Sequence, residues 1–141
     1  MTSSLIDAAE QSANVRRTVA ELKERADDPV GQLRVFVGFD RRLYEGAGDV
    51  LRVLAEGRRQ YPELGAACDE GRRRGDDQRR SALSSWPAEV WRAGIDAERG
   101  VAIFGIVVSL ASFGTASRDY GWRPDEVEEW WHQNLSKLLL R

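Results

Sequence analysis

The sequence predicts an all-α, single-domain bundle of about six helices. Three observations carry that prediction. Apolar residues recur at three- and four-residue steps in almost every segment. Proline, glycine and Asp-Pro punctuation divides the chain at spacings of helix length. No segment sustains the apolar-polar alternation of a half-buried strand, and no internal repeat is visible.

The elements follow in order. From Thr2 to Ala26, Leu5, Ala8, Ser12, Val15, Val19, Leu22 and Ala26 form one face, with Glu10, Arg17, Glu21 and Glu24 on the other, so one continuous amphipathic helix is expected. Asp27-Asp28-Pro29 ends it and opens a second, with Asp28 placed to cap and Pro29 at the first helical position. That helix should run to about Glu45, where Gly46 and Gly48 break it and Asp49 caps a short third helix to about Gln60. After Tyr61-Pro62 a fourth helix carries Leu64, Ala67, Cys68, Gly71, Gly75 and Ala82 along one side. A turn-rich connector from Ser84 to Gly94 holds Trp86 and Trp91. Asp96 caps a fifth helix, Val101 to about Ser117, whose apolar character nearly all round predicts a central place in the packing. Pro124 starts the last helix, with Asp125 and Glu126 near its positive end and Leu138 to Leu140 at its close.

Bulk properties narrow the function classes. The 42% hydrophobic and 31% charged residues over 141 positions describe one globular domain, not a disordered or collagenous chain. Lys+Arg at 21 against Asp+Glu at 23 provides no excess positive field for nucleic acid. The single cysteine, Cys68, has no partner for an internal disulfide, and no signal-like segment opens the chain, so a cytoplasmic location is expected. The uncharged stretch from Val101 to Ser117 is interrupted by Gly105, Ser109, Ser112 and Gly114 and is shorter than the roughly 20 apolar residues of a bilayer span, so no membrane partner is expected.

Gly121-Trp122-Arg123-Pro124-Asp125-Glu126-Val127-Glu128-Glu129-Trp130, closing in Leu138-Leu139-Leu140, resembles the C-terminal segment of tetracycline-repressor-like (TetR family) transcriptional regulators. Asp96-Ala97-Glu98-Arg99 before an apolar helix with Ser109, Gly48-Asp49-Val50-Leu51-Arg52-Val53-Leu54, and Tyr61-Pro62-Glu63-Leu64 followed by Arg72-Arg73-Arg74 add to the likeness in the expected order. It spans roughly residues 5 to 141, and order and spacing carry it rather than any single motif. The resemblance implies the regulatory half of such a protein: a helical domain that homodimerises through its last two helices and takes a small effector. With Thr2 to Ala26 read as one helix, the three-helix DNA reader of the family is not expected before Ser12, nor is direct DNA binding by this chain alone.

Candidate sites come from the residues themselves. Catalytic groups are sparse: His132 is the one histidine and falls away from the apolar face of its helix, Cys68 has no second cysteine, and neither a phosphate-binding glycine loop nor metal-ligand spacing is present. No enzymatic activity, cofactor or metal is therefore expected. Asp40 stands in the Leu33, Phe36, Val37, Tyr44 stripe of the second helix, where a carboxylate needs either an internal arginine or a cationic or hydrogen-bonding effector. Phe36, Asp40, Tyr44, Trp91, Phe104 and Val108 are the candidate ligand-binding residues, with ordinary core packing as the competing account. Val107, Leu110, Trp130, Trp131, Leu135 and Leu138 are the candidate dimer interface, because the last helix has more apolar width than one neighbour covers. The arginine pairs, including Arg79-Arg80, are read as a solvated helix face neutralised by Asp69, Glu70, Asp76 and Asp77. The alternative function is a ligand-free helical protein-interaction module.

Overall fold

Asn14 decides where the first complete helix begins. In the computed structural model, which describes residues 5, 7–9 and 14–141, Asn14 sits in the left-handed region at φ 67° and its side chain accepts from the Arg17 N–H at 3.1 Å. This caps α1 (Val15–Glu24), and the continuous helix expected from Thr2 to Ala26 is interrupted there. Asparagine tolerates the left-handed region and offers an oxygen to a free amide, so the interruption costs little. Thr2 and Ser12, at the start and middle of that expected helix, lie outside the described residues. The buried face is also rotated from the expected one: Thr18 points inward and Val19 is exposed.

Asp28 caps α2 (Pro29–Gly57), its carboxylate accepting from the Gly31 N–H at 2.9 Å. The predicted break at Gly46 and Gly48 does not occur. The helix runs through both glycines for 29 residues, about 43 Å, and absorbs the expected third helix. Asp49, expected as a cap, instead pairs with Arg52 at 3.2 Å. Each interior glycine costs about 1 kcal/mol against alanine, and packing offsets it. Gly48 faces Leu110, and beyond it Leu51 and Leu54 join Leu64, Ala67 and Cys68 of α3 (Pro62–Leu83) in a small cluster of their own.

The connector after α3 is tied down rather than loose. A short 3-10 turn, Ala88–Val90, separates Trp86 from Trp91, and both indoles turn inward with ring centres 4.9 Å apart. The Trp86 Nε1–H donates to the Gln32 Oε1 at 2.8 Å, while the Gln32 amide donates to the carbonyls of Arg25 and Ala26 at 2.7 and 3.1 Å. One buried glutamine thus joins the connector to the end of α1. Trp91 packs closely on Gly100, where a Cβ would come within 2.9 Å of its ring. The chain end completes the clamp: the Arg92 N–H donates to the Leu139 carbonyl, the Arg141 N–H donates to the Val90 carbonyl, and Trp91 and Leu140 form an isolated antiparallel bridge.

Asp96 caps α4 (Ala97–Val107) by accepting from the Arg99 N–H at 2.8 Å. The single helix expected from here to Ser117 is broken. Val108 and Ser109 are extended, Ser109 Oγ accepts from the Ser112 N–H, and the chain restarts as α5 (Leu110–Gly114) before a π-helical turn over Thr115–Asp119. Nor is the run central on every side. Val101, Phe104 and Val108 are buried, but Ile106 is 77% exposed. Last comes α6 (Pro124–Leu139), with Pro124 in its first turn and the Glu126 carboxylate accepting from the Arg123 N–H.

Among the described residues the architecture is all-α, six helices and no strand. The core lies where α6 crosses α2, with α4 and the connector closing it: Leu33, Val37, Leu83, Phe104, Val127, Trp131, Leu135 and Leu139 are fully buried. Outside this seam Arg34 pairs with Glu129 at 2.8 Å and Arg41 with Glu128 at 3.0 Å, fixing the crossing from the solvent side. Gln32→Leu should strand the buried Trp86 indole N–H and cost about 1–3 kcal/mol in urea unfolding. Adding Trp86→Phe should restore part of that loss as a measurable coupling.

Candidate functional site

Five of the six candidate ligand-binding residues fall into a packed core, not around a hollow; Tyr44 alone also reaches a cleft. Phe36 meets Phe104 edge to face at 6.3 Å, and Phe36, Trp91, Phe104 and Val108 are each below a tenth exposed. Tyr44, half-buried, packs tilted on Phe113 at 6.1 Å and edge to face with Trp131 at 6.2 Å. Burial pushes its hydroxyl far above the usual range, with the nearby Asp40 adding to this against the opposing pull of Arg79, so the phenol stays protonated.

Asp40 is buried, and the internal arginine that competes with an effector role is present. Arg79 of α3 approaches it with Nη1 3.8 Å from Oδ2. This corrects the solvated reading of Arg79, which is only 9% exposed. Its Nη2 pairs with Asp76 at 2.8 Å, its guanidinium lies 4.6 Å from the centre of the Phe104 ring, and its Nε is buried without a hydrogen-bond partner. One guanidinium therefore serves two carboxylates, and it sits closer to Asp76. For Asp40, desolvation outweighs the attraction of Arg79, and its pKa rises from 3.8 to about 6, with Asp76 adding to the rise.

A cleft of about 910 Å³ opens elsewhere, between the second half of α2 and the α5 segment with its π turn. Of the ligand candidates it takes only Tyr44. Leu110, Ala111, Phe113 and Gly114 form one wall, Gly48 and Val50 the other, and Arg52, Arg58, Arg59 and Arg118 stand among Glu45, Asp49 and Glu56. Gly114 leaves room for the Arg118 guanidinium, which lies 2.6 Å from where a Cβ would stand.

The wall is held by the helix break. Trp131, with no exposed surface, donates its Nε1–H to Ser112 Oγ at 3.1 Å, and that hydroxyl donates to the Val107 carbonyl at 3.0 Å. The break leaves the Val107 carbonyl without its regular helical partner, and Ser112 supplies one.

The dimer candidates separate into two groups. Trp131 and Leu135 have no exposed surface, so they belong to the chain's own core and present nothing to a partner. Trp130 is 45% and Leu138 44% exposed, while Val107 and Leu110 are half-buried. Among the described residues the most exposed large apolar side chain, Ile106, was missed. Its signal is the Ala102, Gly105, Ile106 spacing, which an apolar run without a polar face conceals. Trp122 packs edge to face on Trp130 at 6.2 Å and extends this surface. His132 places Nε2 3.1 Å from the Val30 carbonyl, and Cys68 is half-buried beside Leu54 and Ala67.

The buried acid generates a pH dependence. Because the folded pKa of Asp40 lies above its unfolded value, its contribution is most favourable below about pH 4 and is lost as pH rises through about 6. Asp40→Asn should therefore gain stability relative to the parent by on the order of a few kcal/mol between acid and neutral pH; a difference independent of pH in urea unfolding would contradict this assignment. Compared with family models, curated proteins and solved structures, the chain matches none.

Proposed function

We propose that the chain is the dimerisation and effector domain of a TetR-like transcriptional regulator, pairing with a second copy through α4 and α6. One observation carries the pairing. Two packed neighbouring helices each present an exposed apolar stripe: Ala102, Gly105 and Ile106 on α4, Trp130 and Leu138 on α6. Single exposed apolar residues are ordinary, but Ile106 at 77% exposure on α4, with Trp122, Trp130 and Leu138 exposed on or before the helix packed against it, offers apolar surface suited to burial. A two-fold axis through it would assemble four helices, two from each copy.

The composition of residues 97–119 would also suit a bilayer span, and 33% of its most apolar stretch is buried within the chain. Geometry argues against that use. α4 is 11 residues, about 16 Å, before Val108 and Ser109 leave the helix, whereas a hydrocarbon core is about 30 Å thick. Broken backbone at membrane depth would also need polar partners that lipid does not supply.

The effector part of the reading rests on the cleft and on the sequence resemblance. The close packing of Phe36, Phe104 and Val108 favours, as a second reading, a dimerisation module without a ligand. Sedimentation at micromolar concentration tests the pairing. The parent should sediment as a dimer, and Ile106→Glu with Trp130→Ala as a monomer of unchanged helix content; a monomeric parent, or one that pellets with lipid vesicles, overturns it.

A further inference from the structure

The cleft beside α5 contains a charge arrangement that its own chain does not satisfy. Glu45 is engaged by Arg41 at 2.7 Å, Arg58 by Asp69 at 3.0 Å, and Asp49 by Arg52 at 3.2 Å, with Glu56 at 4.0 Å from the same Arg52. Arg59 and Arg118 are different. Among the described residues neither forms an ion pair or a side-chain hydrogen bond, yet both line the cleft. They come from opposite sides, Arg59 from just past the end of α2 and Arg118 from the π turn. Arg118 is also placed: its guanidinium lies over Gly114, where the missing Cβ leaves it room. Between them the wall is apolar, with Tyr44, Leu110 and Phe113 along it.

We propose that this cleft binds a small amphipathic carboxylate, its acid group held by Arg118 and its apolar body laid against Tyr44, Leu110 and Phe113, with Arg59 adding positive charge from the end of α2. The inference rests on the effector reading above and is independent of the dimer. A guanidinium fork matches a carboxylate in geometry, and it can satisfy both oxygens at once. A cationic ligand is disfavoured, since the acidic groups here already have arginine partners while two arginines do not. The volume, about 910 Å³, is at the upper end for a small-molecule site. The position gives the ligand a route to the rest of the fold, because Leu110, Phe113 and Gly114 belong to the segment that Ser112 and Trp131 hold in place.

Decanoate is a suitable probe, titrated calorimetrically into the whole chain, with decyltrimethylammonium as the opposite-charge match. Decanoate should bind saturably and more weakly as salt rises, and the cation at least about tenfold less tightly. Arg59→Ala with Arg118→Ala should weaken decanoate by about tenfold or more, the size of a lost charge-assisted contact, with thermal midpoint and sedimentation unchanged. Arg118→Lys should keep part of the affinity, and Ala111→Trp, which adds bulk to the exposed wall, should abolish it. No saturable binding by decanoate, equal or tighter binding of the cation, or undiminished binding by the Ala111→Trp or double-arginine variant overturns the proposal. Sedimentation of the same samples reports separately on the dimer, so the failure of one does not disguise the failure of the other.

Discussion

A tryptophan buried without exposed surface must give its indole N–H to something, and in this chain that requirement organises the fold. Trp131 donates to Ser112 Oγ, and the same hydroxyl donates to the Val107 carbonyl left free where α4 ends. An unpaired buried donor would cost about 1–3 kcal/mol, and so would an unpaired buried carbonyl. A single serine answers both. With Ser109 capping α5, the break in the apolar run is a specified feature with its polar groups accounted for.

That break divides the labour of the segment. Before it, α4 buries Val101 and Phe104 and leaves Ile106 outside. After it, α5 swings against α2, where Leu110 meets Gly48 and Phe113 meets Tyr44, and the cleft forms along this junction. Trp131 links the two regions. One edge contacts Ser112 and Phe113 on the cleft side, and its neighbour in sequence, Trp130, faces outward on α6. α5 and α6 therefore meet at one buried ring.

The polar core has a different character. Buried Asp40 and Arg79 form a cluster with half-buried Asp76 in which one guanidinium is shared and its Nε is without a hydrogen-bond partner. Buried ion pairs of this kind return little net stability, because desolvation consumes the attraction. The contacts of Arg79 with the Phe104 face and of Asp40 with its arginine do join α3 to α2 and α4 in one arrangement. Gln32 does the same for the connector through neutral hydrogen bonds.

Local chemistry by itself determined much of this protein. The all-α class, the caps at Asp28 and Asp96, the starts at Pro29, Pro62 and Pro124, and the burial of Asp40 in an apolar stripe follow from residue spacing, since caps and periodicity act within a few positions. The interruption at Asn14 was not read from the sequence, because an asparagine tolerates a left-handed turn without requiring one. Tertiary structure alone decided the rest. Gly46 and Gly48 could end a helix or be carried through it, and packing of Leu51 and Leu54 on α3 chose the latter. An apolar run with no polar face gives no sign of where it bends or which side stays wet. Trp131, Leu135 and Ile106 were therefore assigned to core or surface by their neighbours across the fold, not by their neighbours in the chain.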